Sequence, residues 1–222
     1  MSMHARRPLA LHSLLPLIPA TLLAVSATTG AETTAAWDLN DLEEGVDLID
    51  ADLGEGRIDL TALVGAHAVY EGTDLNGFGG GEPGSCFGVR GSAGNGSAFE
   101  LVMPVGEAGE LSFAYRATTT GFDQNLVQRW NGTEWSTLGT FGDDGGDATE
   151  WKRAIFSLSV EEDGIGHDDQ VLRLRVVLDG AESANGVIRF DNLQVSAVPA
   201  PTVGSIAGLG GLLASRSVLR RD

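Results

Sequence analysis

The sequence predicts an all-β fold, two antiparallel sheets packed as a sandwich, and three observations predict it. Apolar residues recur with a period of two along the central segments. Clusters such as "GSAGNG", "TTTGFD", "GDDGGD" and "ESANG" place turns between those segments. No central segment keeps a helical period long enough to supply the crossover helices of a parallel sheet. Composition agrees, since 31 of the 222 residues are glycine, Lys152 is the only lysine, and a 42% hydrophobic content is enough for a core. The predicted domain covers residues 32–197. Residues 1–31 are set apart as a signal peptide and 198–222 as a C-terminal tail, each expected to carry a short helix flanking the sandwich.

The strands follow in chain order. "SAFELVMPV" directs Phe99, Leu101 and Met103 inward, and "ELSFAYRA" does the same with Leu111, Phe113 and Tyr115. "RWNGTEW" reads as a hairpin in which Asn131-Gly132 forms a tight type I′ turn flanked by Trp130 and Trp135. "RAIFSLSV" buries Ala154, Phe156, Leu158 and Val160. "VLRLRVVL" is the clearest alternation, with Leu172, Leu174, Val176 and Leu178 facing the core and Arg173 and Arg175 facing water. In the last strand, "GVIRFDNLQVSA", Ile188 and Phe190 alternate inward, but Leu193 and Val195 fall in the opposite phase. One extra residue at Asp191-Asn192, a β-bulge, restores the phase. A carboxylate at such a kink points away from the ladder, where it can accept backbone N–H groups or bind a hard cation.

The two ends are unlike the middle. The start, "MSMHARRPLALHSLLPLIPATLLAVSATTGAE", has a basic head and an apolar run, then small residues with cleavage contexts ending at Ala27 and at Ala31, the pattern of an export signal. The finish, "VPAPTVGSIAGLGGLLASRSVLRRD", holds Pro199 and Pro201, then an apolar stretch shorter than the roughly 20 residues of a comfortable span. It closes on Arg216, Arg220 and Arg221, which the positive-inside rule keeps cytoplasmic. The formal net charge is −17, and five of the 14 basic residues lie in these ends, so the middle is more acidic still. Such a surface repels phosphates and argues against a nucleic-acid partner.

No catalytic set assembles from the residues. Paired acids on one β-patterned strand, as a glycoside hydrolase requires, do not occur. Glu161, Glu162 and Asp163 are consecutive in a turn-like stretch, and His67 and His167 are far apart. There is no Gly-x-Ser-x-Gly elbow, and "GFGGGEPG" lacks the Lys-Ser/Thr of a phosphate loop. "DADLGEGRIDL" fails the calcium-loop spacing, with Ala51, Leu53 and Ala62 at ligand positions. The single cysteine, Cys86, allows no intramolecular disulfide and reads as a small buried hydrophobe. Asn95-Gly-Ser and Asn131-Gly-Thr match the short glycosylation pattern. Trp130 and Trp135, together with Phe122, read either as a platform for stacking on sugars or as cross-strand packing.

The order "AWDLND", "GNGSAFELVM", "LSFAYRATTTGFDQNLVQRWNGTEWSTLGTF", "GVIRFDNLQV" resembles the jelly-roll, lectin-like domains of exported bacterial surface proteins. The closing piece also resembles the terminal strand of carbohydrate-binding modules. That resemblance implies a structural calcium ion held by Asp191 with first-strand oxygens, here Asp38 and Asn40. The tail resembles the PEP-CTERM sorting signal, with Ala200 where glutamate is typical. It implies transient anchoring in the membrane until an exosortase-like enzyme removes the segment, after passage through the export machinery. The expected function is therefore a non-enzymatic, exported protein of the cell surface or extracellular matrix. The alternative is a carbohydrate-binding module for an extracellular polysaccharide, and a remoter one is a secreted hydrolase with an unrecognised site.

Overall fold

A computed structural model describes residues 32–63, 67–78, 83–104, 109–142, 150–158 and 171–197. The expected signal peptide, sorting tail and flanking helices lie outside these residues, as do Ala27, Ala31, Pro199, Pro201, Arg216, Arg220, Arg221, Glu161 to Asp163, and His167. Among the described residues the only helical element is a 3₁₀ turn at Ser92–Gly94, and no helix is long and apolar enough to cross a membrane.

The described residues form two antiparallel sheets. Their strands are β1 (Glu32–Trp37), β2 (Leu48–Asp50), β3 (Leu53–Gly54), β4 (Arg57–Asp59), β5 (His67–Glu71), β6 (Ser85–Arg90) and β7 (Ala98–Pro104). They continue with β8 (Gly109–Ala117), β9 (Asn125–Trp130), β10 (Trp135–Phe141), β11 (Lys152–Leu158), β12 (Val171–Val177) and β13 (Val187–Ala197). One sheet has six strands in the order β10-β9-β12-β7-β4-β2. The other has seven, β11-β8-β13-β1-β3, with β6 also on β13 and β5 on β6.

The inward alternation read from the sequence fills the space between the sheets. Phe99, Leu101, Leu111, Phe113, Leu174, Val176, Ile188 and Phe190 are fully buried. Phe87, Phe99 and Phe190 meet with ring centroids 5.0 to 5.4 Å apart, two of the three contacts edge-on, as ring quadrupoles prefer. Trp37 is also fully buried, and its Nε1 donates to Ile49 O at 3.2 Å, tying the first strand to the far edge of the other sheet.

The bulge expected in the last strand is present. The register of β13 against β8 shifts between Asp191 and Gln194, and Asn192 has φ 49°. β13 changes partner there as well: Val187 to Phe190 pair with β6, and Leu193 to Ala197 pair with β1. The extra residue restores the inward phase, so Leu193 and Val195 are buried like Phe190.

The turn chemistry of the β9–β10 hairpin differs from the expectation. Trp130 pairs with Trp135, and Asn131 N donates to Glu134 O at 3.1 Å, so the central residues are Gly132 and Thr133. Only Gly132 has positive φ, 94°, whereas a type I′ turn needs it at both central residues. Asn131 instead closes the turn with its side chain, whose Oδ1 accepts Thr133 N at 2.9 Å and Glu134 N at 2.8 Å.

Candidate functional site

The side chains that alternate outward on the six-stranded sheet assemble a polar and aromatic face. On β12, Arg173 and Arg175 point out while Leu174 and Val176 are buried. Register carries one row across the sheet from Thr137 through Gln128, Arg175, Glu100 and Asp59 to Leu48. These groups hold one another. Arg175 Nε donates to Gln128 Oε1 at 2.7 Å, Gln128 Nε2 donates to Thr137 Oγ1 at 3.1 Å, and Arg173 pairs with Glu100 at 2.7 Å. The Trp135 ring lies against both arginines, with the Arg175 guanidinium carbon 4.3 Å and that of Arg173 5.6 Å from its centroid. Trp130 packs beside it at 5.4 Å, tilted by 59°. Both tryptophans are half-buried, so the ring pair is packed and also reachable.

The same face runs into a cleft of about 610 Å³ lined by Asp123, Gln124, Leu126, Thr140, Phe141, Gly142, Val177 and Asp179. Leu126, Thr140 and Val177 belong to the outward set of β9, β10 and β12, so the cleft continues the strip. Its polar groups come from the chain ends that flank those strands. Gln124 N donates to Asp179 O at 3.1 Å, and Asp179 N donates to the buried Asn125 Oδ1 at 3.4 Å, which fixes Asp123 and Asp179 on the rim.

Of the residues expected to stack on sugars, Trp130 and Trp135 come together, and Phe122 does not. Phe122 is fully buried in the core, and Asn125 Nδ2 donates to its carbonyl at 3.1 Å. It sits between β8 and β9, inside a turn cluster where alternation cannot be read. The signal for the residues not anticipated, Gln128, Thr137 and Glu100, was outward alternation alone. Which strands lie side by side is set by long-range pairing.

Of the residues expected to hold calcium, Asp191 lies at the bulge, on the outer side of the seven-stranded sheet, and the Asp38 charge is near enough to act on it. Asp191 is fully buried there, because the segment from Gly72 to Gly77 crosses over it. Its Oδ2 accepts Thr73 N at 2.6 Å and its Oδ1 accepts Asn192 N at 2.8 Å. Asn192 Nδ2 in turn donates to Thr73 O at 2.6 Å and to Leu75 O at 3.1 Å, Asn76 Nδ2 donates to Asn192 O at 2.6 Å, and Gln194 Nε2 donates to Asn76 O. Burial, with a smaller push from the Asp38 charge, raises the Asp191 carboxyl to about 7 against the pull of the two N–H donors. Asp38 Oδ1 accepts Asn40 N at 3.1 Å, and Asn40 O accepts Ser85 N at 3.3 Å. Backbone clearance is tight: a Cβ at Gly72 would stand 2.4 Å from Asp191 Oδ2, and one at Gly84 would stand 2.3 Å from Asn40 Oδ1. Among the described residues no three His, Cys, Asp or Glu side chains form a metal-holding group, so an ion here would need Asn40 and main-chain carbonyls as well.

Cys86 is fully buried, its Sγ donates to Glu71 O at 3.2 Å, and burial with the Asp191 charge pushes the thiol up to about 12, leaving it inert. The Asn95 carboxamide bridges Ala181, donating to its carbonyl at 3.0 Å and accepting its N–H at 2.9 Å. His67 Nε2 lies 3.3 Å from Asp47, with Nδ1 buried and without a partner.

No protein-family pattern matches the chain, and no curated protein matches it in sequence. Solved structures do resemble it. A family 61 carbohydrate-binding module in complex with β-1,4-galactotriose aligns over 63% of this chain and 86% of its own, at 14% identity and a TM-score of 0.38. The xylan-binding module of family 15 aligns over 63% and 95%, at 8% identity and 0.41. The K3 cleaved adhesin domain of Lys-gingipain from Porphyromonas gingivalis aligns over 76% and 100%, at 11% identity and 0.41.

Proposed function

We propose that the protein is an exported, non-catalytic module that binds a polysaccharide along the outer face of its six-stranded sheet. The observation that carries this reading is the continuity of that face. The Trp135 ring, fixed over Arg175, leads through Gln128 and Thr137 into the cleft between Asp123 and Asp179, with Glu100 beside Arg175 on the next strand. A sugar chain presents flat C–H faces and rows of hydroxyls. Aromatic rings take the first, and planar amide, guanidinium and carboxylate groups take the second. From the tryptophan row to the cleft floor is four residues along β9, about 13 Å at strand rise, room for a short oligosaccharide. The test is affinity electrophoresis of the folded protein through gels containing neutral plant and bacterial polysaccharides. Retardation by at least one is expected, and no retardation by any of them sinks the reading.

Delivery to the cell surface rests on the two ends. The basic-then-apolar start with Ala27 and Ala31, and the tail with Pro199, Pro201, Arg216, Arg220 and Arg221, fit export followed by transient anchoring and release by a sorting enzyme. Mass spectrometry of the protein taken from its native cells is expected to find both ends removed. An intact residue 1 or an intact Asp222 would each rule out one of these steps.

A structural calcium ion is the third part of the reading. Asp191, Asp38 and Asn40 would hold it, supported by the nearness of the Asp38 charge to the Asp191 carboxyl. The ion would replace the proton on Asp191 and tie the first strand to the bulge. Millimolar calcium is expected to raise the melting temperature and chelator to lower it, and Asp191→Asn should abolish the difference. Identical melting curves in calcium and in chelator would dismiss the ion.

A further inference from the structure

The outer face of the seven-stranded sheet gathers positive charge that the glycan face does not use. Arg116 on β8 and Arg189 on β13 stand directly opposite one another, and Arg90 on β6 is the diagonal neighbour of Arg189. Tyr70 on β5 organises two of them. Its ring packs against Gly88, where a Cβ would meet Tyr70 Cε2 at 2.7 Å, so the absence of a side chain is what admits the ring. The Arg189 guanidinium carbon sits 4.5 Å from the ring centroid, and Arg90 Nη2 lies 3.4 Å from the Tyr70 hydroxyl oxygen. Both guanidinium groups are thus held in place before any ligand arrives.

Like charges directly opposite in a sheet are destabilising. The chain has 31 acidic residues against 14 basic ones, so carboxylates to neutralise this spot were plentiful. Among the described residues none forms an ion pair with Arg90, Arg116 or Arg189. Asp191, two residues along β13, is turned onto the Thr73 and Asn192 N–H groups beneath the crossing segment. The three guanidinium groups therefore keep their capacity for an anion from outside.

We propose that Arg90, Arg116 and Arg189 form a second binding site, for a polysaccharide bearing carboxylate groups. Guanidinium forks match carboxylates in bidentate geometry, and three of them on adjacent strands can engage successive uronate residues of an extended chain. A nucleic acid is disfavoured because its dense phosphate charge would meet the strongly acidic remainder of the surface. With the glycan face on the other sheet, and resting on that reading, one sandwich would hold two polymer chains on opposite sides and cross-link them.

The test is affinity electrophoresis in gels of polygalacturonate, of its fully methyl-esterified form and of DNA. Polygalacturonate is expected to retard the protein, increasingly so at low salt, while the ester and DNA do not. The Arg116→Gln/Arg189→Gln double variant should weaken retention about tenfold or more, the loss of at least one charge-assisted hydrogen bond. The separate Arg90→Gln variant, on a more exposed side chain, guards against a folding defect in the first. Neutral-glycan binding should survive in all of these variants. Equal retention by the ester, retention by DNA, no retention by polygalacturonate, or unchanged retention of both variants would overturn the site. Failure of neutral-glycan binding with polygalacturonate binding intact would remove only the cross-linking step.

Discussion

In chelator, the protein is expected to lose stability as the pH is raised from about 5 to about 7.5, and Asp191→Asn is expected to remove most of that loss. The sign follows from the direction of the shift. Asp191 is fully buried, and its carboxyl is raised from 3.8 to about 7. Between those values the native state keeps a proton that the unfolded chain has released, so unfolding becomes easier as the pH rises. Below the lower value both states are protonated and the effect vanishes. Above the upper one the full penalty remains, which for a shift of this size is up to about 4 kcal/mol. Asp52, also raised by burial, adds a smaller contribution of the same sign. The readout is the pH slope of the unfolding free energy, rather than its absolute value. The variant sets an amide nitrogen against the Thr73 or Asn192 N–H and is therefore less stable at every pH. A wild-type slope no steeper than that of Asp191→Asn would show that the carboxylate is ionised in the fold across this range. Calcium should flatten the wild-type slope as well, because a bound cation stabilises the ionised form and displaces the proton.

The bulge that creates this buried acid is legible in the sequence, because a phase change between Phe190 and Leu193 has one simple repair. The inward faces of β7, β8, β11 and β12 are legible for a related reason: alternation is a local property of the strand. The cover over the bulge is not. The segment from Gly72 to Gly77 has no periodicity, and its hydrogen bonds reach residues more than a hundred positions away. Between the two readings of Phe122 the sequence does not decide, because a turn cluster has no phase to read and burial there depends on what packs above it. The two outer faces are half legible. Arg173 and Arg175 read as water-facing, yet their meeting with Trp135 needs β10, β9 and β12 side by side. The Arg90, Arg116 and Arg189 group comes from three strands scattered along the chain, and pairing register alone unites it.

Trp135→Ala is expected to abolish measurable binding to whichever neutral polysaccharide the protein retains, while leaving the fold intact. Trp135 is half-buried on the edge strand β10, and its ring rests on arginine side chains, outside the core cluster. Removing it costs the sandwich little. For the ligand the cost is large, since a buried tryptophan at the centre of an interface contributes about 2 kcal/mol or more, a loss of at least about 30-fold in affinity. Arg175→Ala separates the two roles of that ring. The guanidinium holds the indole in place and donates to Gln128, so its loss should weaken binding through a mobile Trp135 and a freed Gln128 amide, with less effect than removing the ring. Trp130→Ala gives the contrast. It breaks the same cross-strand ring pair at the mouth of the hairpin, so it should cost about as little stability as Trp135→Ala, but it leaves the Trp135 ring on Arg175 and should cost less affinity. Binding that survives Trp135→Ala, with the melting temperature falling instead, would mean that the ring pair serves only to close the hairpin. The polysaccharide would then have to lie in the cleft between Asp123 and Asp179 alone.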